Sequence, residues 1–228
     1  MKKLATAFVV ALLLLAALTQ TVAAAPDPTP VVFVGDSITE LCNPNYRSFR
    51  PRTIEGLVAA GYLIDAVGSR SGGCAAADPE HEGKAADDTS QVLARLPGGL
   101  SSLAQPPEVA FVLLGTNDVQ DGLTVGESTA NLEGIIAALR AENSTIRIVL
   151  GTIPPYPGKP AETAALNAAI EGLAETGASP VTIVDLHGSI IPTSHLWSGD
   201  LIHLNADGAE VVGDLVRDAL VASGGLAE

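Results

Sequence analysis

The chain has 228 residues, of which 12 are basic and 26 acidic, so its formal net charge is −14. That acidity excludes the usual electrostatic routes to nucleic acid and to anionic membrane surfaces, and no nucleic-acid partner is expected. The two cysteines and four histidines fall at no zinc-like spacing, so no metal site is predicted, and the length suits one domain with a substantial core.

Residues 1–24 read as a removable leader. Lys2 and Lys3 precede an apolar run from Ala5 to Leu18, and small residues then lead to Pro26, Pro28 and Pro30. This is the pattern of a secretory signal peptide, with cleavage preferred after Ala24 and a single domain over 25–228. An uncleaved span is the competing reading, because the run is near the lower length limit for crossing a bilayer. The small residues and prolines favour cleavage, so a secreted, extracellular protein without a stable membrane anchor is expected. In an exported chain Cys42 and Cys74 suggest a disulfide, closing a loop of about 30 residues and worth roughly 3–4 kcal/mol in the chain-entropy account. Two unpaired, small apolar side chains are the alternative.

The elements follow in order. Val31–Val34 is a first strand running into Gly35, Asp36 and Ser37. Arg52–Ala60 has a helical pattern, and Leu63–Val67 is a second strand. Gly68 to Asp88 reads as a long loop, and Thr89–Leu96 as a short helix. Val109–Leu114 is a third strand, and Glu127–Ala141 a helix carrying Leu132, Ile135, Ile136 and Leu139 at three-and-four spacing. Ile146–Leu150 is a fourth strand, Ala161–Glu175 a helix, and Val181–Val184 a fifth strand. Ala206–Ala222 closes the chain as a helix with Val211, Val212, Leu215 and Leu220 inward. Strands alternating with helices predict an α/β fold, a parallel five-stranded sheet covered on both faces. The unbroken apolar strands agree, since both of their faces are then buried.

In such a sheet, ligands meet the carboxyl ends of the strands. Ser37 follows the first strand, Asn117 and Asp118 the third, and Asp200 and His203 lie between the fifth strand and the last helix. A serine hydroxyl needs an adjacent base to become a nucleophile. His203 can be that base, Asp200 can fix its tautomer, and Asn117 can donate to a developing oxyanion. Each has a bland reading as turn or capping chemistry; the joint pattern favours acyl transfer.

"VGDSITE", "GTNDV" and "DLIHLNADG" resemble the motifs of the SGNH hydrolases, the GDSL esterase/lipase family, over essentially the whole chain after the leader. The resemblance implies a flavodoxin-like three-layer α/β/α domain and ester hydrolysis without a cofactor. It implies Ser37 as nucleophile, with Asp200 and His203 completing the catalytic set. It also implies an oxyanion hole from the Ser37 amide, a second-block glycine amide and the Asn117 side chain. The second block, "HEGKAADD", resembles that of secreted esterases that include acetylxylan esterases. His81, Glu82 and Gly83 match, but the expected oxyanion glycine falls on Ala86. An alanine still has an N–H; at positive φ it costs roughly 1–2 kcal/mol. Either Ala86 donates, or the loop shifts and Gly83 does.

The expected protein is a monomeric esterase acting on short acyl groups, acetyl foremost, of a small-molecule or polysaccharide ester. Its rivals are a lipase, phospholipase or thioesterase of the same fold, and a non-catalytic carbohydrate-binding relative. Tyr46 and Arg47 line the substrate pocket or start a helix. Trp197 stacks on a sugar or is buried. Asn143-Ser144-Thr145 matches a glycosylation acceptor.

Overall fold

In the computed structural model, strand β1 (Thr29–Gly35) is buried along its whole length and forms the centre of the sheet. The structure describes residues 26–73, 78–190 and 194–228. The expected leader and Cys74 lie outside them. Helices α1 (Ser37–Glu40) and α2 (Arg50–Ala59) follow β1, and the chain returns as β2 (Ile64–Val67). Strands β3 (Arg70–Ser71) and β4 (Glu80–Gly83) come next, then α3 (Thr89–Leu100), β5 (Val109–Leu113), α4 (Thr116–Asp121) and α5 (Val125–Glu142). The remainder is β6 (Arg147–Gly151), α6 (Pro160–Glu171), β7 (Val181–Val184), α7 (Leu186–Ser189), a 3-10 turn at Ser194–Leu196, and α8 (Ala206–Ser223).

Five strands pair in parallel in the order β2-β1-β5-β6-β7. The winding reverses between β1 and β5, which opens a crevice beyond their carboxyl ends. Alternate side chains divide the core. Val32, Val34, Ala110, Val112, Ile148 and Leu150 face α3, α5 and α6. Val31, Phe33, Val109, Phe111 and Val149 face α2 and α8. The second face is built on three phenyl rings, with Phe49 and Phe111 at 5.2 Å and Phe33 at 6.3 Å from Phe49. The result is the expected three-layer α/β/α arrangement.

Among the described residues the sheet has seven strands, not five. β2 pairs with β1 only from Thr29 to Val32. The vacated edge beside Val34 and Gly35 is taken by β4, in parallel, and β3 lies antiparallel to β4. The sequence "EHEG" has no apolar alternation to announce a strand. It pairs because the free backbone groups at the end of β1 need partners.

Other boundaries moved for local reasons. α3 runs past Leu96 to bury Leu100, starting from a reciprocal cap between Asp88 and Gln91. α6 stops at Glu171, and Glu175 instead bridges Val181. On α8, Val212, Val216 and Leu220 face inward while Val211 is exposed. Among the described residues, no helix is long and apolar enough to cross a membrane.

Candidate active site

The strand β1 ends in a tight reversal. A Cβ on Gly35 would lie 2.0 Å from Thr39 Oγ1 and 2.9 Å from the Leu113 carbonyl oxygen, so only glycine lets α1 fold back against the strand end. Asp36 caps α1, its Oδ1 accepting the Ile38 N–H at 2.9 Å. Burial, with a smaller contribution from the charges of Asp118 and Asp87, pushes its carboxyl up to about 7. Ser37 is the first residue of α1, where a backbone N–H has no intrahelical acceptor. Its Oγ lies 2.8 Å from His203 Nε2.

Asp200 organises the turn that carries His203. Its Oδ1 accepts the N–H groups of Ile202 and His203, both at 3.0 Å, and its Oδ2 lies 2.7 Å from His203 Nδ1. Burial acts to raise the Asp200 carboxyl, but the bonds from the His203 ring and the two amides outweigh it and hold the group below the usual carboxylate range. Between them Leu201 sits at φ 59°, in the left-handed region. Asn205 caps α8 and donates to the carbonyls of His195 and Trp197, fixing the turn to the helix. The Tyr46 ring lies over His203, with centroids 4.5 Å apart and planes tilted by 37°. Its hydroxyl is beside Asp200, whose charge raises the Tyr46 pKa.

Asn117 and the second block face each other across the crevice. The Asn117 Nδ2 donates to the Asp87 carbonyl at 2.8 Å, which orients the amide and leaves its second N–H uncommitted by that bond. Asp118 accepts Thr89 N–H at 3.0 Å and Thr89 Oγ1 at 2.5 Å, locking α4 to the start of α3. Ala86 sits at φ 65° and is exposed. Among the described residues, its N–H has no acceptor. The flanking amide of Ala85 donates to Glu40 Oε2 at 2.6 Å, and Lys84 N–H reaches the Gly35 carbonyl at 3.0 Å. The Gly83 N–H is already spent on His81 Nδ1 at 3.0 Å. A Cβ there would meet Thr39 Cγ2 at 2.9 Å and Glu40 N at 3.0 Å.

Charges hold this loop from several sides. Arg95 bonds Asp87 Oδ2 at 2.7 Å and Glu82 Oε2 at 3.0 Å, and Lys84 bonds Asp87 Oδ1 at 2.9 Å. Arg70 bonds Glu40 at 2.7 Å. Burial acts to raise Glu40, but the bonds from Arg70 and Ala85 prevail and lower its pKa. Burial lowers the His81 pKa to about 4, helped by the Arg50 charge, so at neutral pH its ring is uncharged and able to accept from Gly83.

Arg50 escaped the sequence reading. It is fully buried and donates to the carbonyls of Thr39 at 2.9 Å, Gly72 at 2.8 Å, Pro79 at 3.3 Å and Glu80 at 3.4 Å. Burial pulls its pKa to about 10, which leaves it a cation at neutral pH. Nothing in "SFRPRT" separates this arginine from its exposed neighbour Arg52. Glu40, Arg70 and Arg95 were missed for the same reason: their partners lie far away in sequence. Trp197 is buried in the core and so takes the structural one of its two readings. Arg47 donates from its backbone to the Leu204 carbonyl and from its side chain to Asn43 O at 2.5 Å. Among the described residues, no group of three or more His, Cys, Asp or Glu side chains is arranged to hold a metal ion.

A hydroxyl, an imidazole and a carboxylate in series can pass a proton from the first to the second while the third stabilises the cation. Comparison with known proteins gives the arrangement its context. A model of the GDSL-like lipase/acylhydrolase family matches residues 33–211. The fold is similar to a carbohydrate esterase family 3 protein from Talaromyces cellulolyticus, with 27% identity and a TM-score of 0.75, covering 85% of this chain and 97% of that one. It is similar to a serine-to-alanine mutant of an acetyl esterase solved with an acetate ion, with 26% identity, a TM-score of 0.74, and coverage of 85% and 97%. A family 3 carbohydrate esterase from Clostridium thermocellum, 23% identical with a TM-score of 0.74 over 85% of this chain and 96% of that one, shares the fold. No curated protein matches the chain.

Proposed function

The chain belongs to the GDSL-like lipase/acylhydrolase family, and on that premise we propose that it is a secreted serine esterase removing short acyl groups, acetyl foremost, from carbohydrate. It is an ester hydrolase. One observation carries the mechanistic reading: Ser37 Oγ, His203 and Asp200 stand in series at the end of β1, with contacts of 2.8 and 2.7 Å.

Ser37 attacks the acyl carbon while His203 Nε2 takes the hydroxyl proton, and Asp200 stabilises the imidazolium. The charge that gathers on the carbonyl oxygen is met by the amides of Ser37 and Ala86 and by Asn117 Nδ2. Ala86 is assigned over Gly83 because the Gly83 amide is bonded to His81. His203 returns its proton to the leaving alcohol, and water then releases the acyl group by the same route. The acetyl and carbohydrate preferences draw on the likeness to the Talaromyces carbohydrate esterase and to the acetyl esterase.

The test is hydrolysis of acetylated xylan beside p-nitrophenyl esters of increasing chain length, with Ser37→Ala as control. Acetyl release that vanishes in the variant is expected; rates climbing toward long chains would overturn the acetyl preference, and an active Ser37→Ala would overturn the nucleophile. The Cys42–Cys74 disulfide belongs to the same proposal. A Cβ placed on Gly73, the neighbour of Cys74 in sequence, would lie 3.5 Å from Cys42 Cβ, which supports the pairing. Mass mapping of non-reduced, exported protein should find the bridge and an N-terminus at Ala25. Sedimentation should find a monomer.

A further inference from the structure

We propose that Tyr46 is a positioning residue for the esterase reaction: its ring backs the His203 imidazole and stabilises the cation that forms there. The inference rests on the serine-esterase reading above. Its starting point is how firmly the ring is placed. Asn43 Oδ1 accepts the N–H groups of Asn45 and Tyr46 at 2.9 and 3.1 Å, and Asn43 N–H reaches back to the Tyr46 carbonyl at 2.9 Å. The residues on either side of Tyr46 are then tied to the segment that carries Asp200 and His203. The Asn45 carbonyl accepts the Ser198 hydroxyl. The Arg47 N–H donates to the Leu204 carbonyl at 2.9 Å. A loop with bonds on both sides of one aromatic residue holds that residue against its neighbour, and the neighbour is His203, at 4.5 Å between ring centroids.

The placement has two consequences for the reaction. First, the His203 side chain is 18% exposed and that of Asp200 28%, so without the ring water would reach the pair more freely. The ring also limits rotation of the imidazole, keeping Nδ1 toward Asp200 while Nε2 stays on Ser37. Second, the π face of an aromatic ring attracts a cation more than a neutral group. His203 is neutral when it accepts the Ser37 proton and charged immediately afterwards. The attraction therefore grows toward the transition state and acts on the turnover number rather than on substrate binding. The hydroxyl is not needed for either effect.

The experiment compares Tyr46→Phe, Tyr46→Leu and Tyr46→Gln on a short-chain p-nitrophenyl ester, with Ser37→Ala alongside. Tyr46→Phe should keep kcat within about two-fold. Tyr46→Leu and Tyr46→Gln should lower kcat by about three- to ten-fold with KM nearly unchanged. The pair of non-aromatic variants covers the case in which one of them folds poorly, and thermal midpoints report which. Wild-type kcat in a folded Leu or Gln variant overturns the inference. So does a loss that appears in KM alone, which would make Tyr46 a substrate contact, and so does an equal loss in Tyr46→Phe, which would shift the role to the hydroxyl. An active Ser37→Ala would instead sink the serine-esterase reading itself.

Discussion

Two turns flank Ser37, and each holds a non-glycine residue at positive φ: Leu201 at 59° and Ala86 at 65°. Among the described residues they are the only two of that kind. Each costs roughly 1–2 kcal/mol against a relaxed backbone, and such strain gathers where a fold must present a group to a ligand. The two are held in opposite ways. The Leu201 turn is braced from within, by one carboxylate bonded to two amides and a ring no more than three residues away. The Ala86 turn is braced from outside, by Glu40 of α1, Arg95 of α3 and Asn117 of α4. A local brace survives disturbance elsewhere in the fold. A distributed one transmits it, so the proposed oxyanion amide should be more vulnerable than the proposed base.

The sharpest way to break the local brace is Asp200→Asn. The amide oxygen can still accept from Ile202 and His203, so the turn stays while the charge goes and the wrong tautomer becomes available. In the chymotrypsin-type enzymes the equivalent change costs about 10⁴ in turnover. An easier ester should place the loss here at about 10²–10⁴, read as kcat with the thermal midpoint nearly kept. If activity stays within a few-fold while His203→Ala is dead, the site runs as a serine–histidine dyad and Asp200 serves only the turn.

The distributed brace breaks at Arg95. Arg95→Met leaves Glu82, nearly fully buried, without its cation and leaves Asp87, equally buried, with Lys84 alone. Removing one partner of a buried pair costs about 3–5 kcal/mol, so urea unfolding should show a loss of about that size, with kcat falling at temperatures where the variant is still folded. A loss below about 1 kcal/mol would mean that the network relaxes freely.

A milder probe is pH. Asp36 is buried at the start of α1, close enough to Asp118 and Asp87 for their charges to act on it. Its folded pKa of about 7 is above its ordinary value of 3.8, so the native state holds this proton more tightly than the unfolded chain. The contribution to stability is full below the ordinary value and is lost as pH rises through about 7. Asp36→Asn keeps an acceptor for Ile38 N–H and removes the titration. Urea midpoints at pH 4 and pH 8 should show the variant gaining on wild type at the higher pH; equal gains at both would refute the assignment. The smallest effect belongs to Ala86→Gly. Relief of strain and added freedom in the unfolded chain nearly cancel, within about 1 kcal/mol, while kcat should be kept or raised. A large fall in kcat would mean that the methyl group is a contact.

The same contrast explains what the sequence made legible. β1, β5 and β6 were readable because both of their faces are covered and the apolar runs are unbroken, and the edge strand β7, half-buried after Val181, because all four of its residues are β-branched. Ser37, Asn117, Asp200 and His203 were readable as candidates because each follows a strand or precedes a helix within a few residues. β4 was not, since His81 and Glu82 are buried by partners brought from elsewhere and Glu80 is half-buried beside them, and polar residues do not announce burial. Arg50 and Arg95 were illegible for the same reason: an arginine bonded to distant carbonyls or carboxylates looks, in sequence, like one in water. The inward face of α8 was misjudged only at Val211, where a run of two valines leaves the phase of the helix ambiguous.

Arg50 carries a last consequence. The carbonyls of Thr39, Gly72, Pro79 and Glu80 converge on its head group from α1 and from both ends of the segment between β3 and β4. Together they outline a receptor for a planar cation with donors along its edges. Arg50→Ala would empty that receptor without altering its walls, and a free guanidinium ion has the missing shape and charge. The helix that carries Ser37 would then be held by a dissolved small molecule, and an ion known as a denaturant would, at low concentration, restore the enzyme.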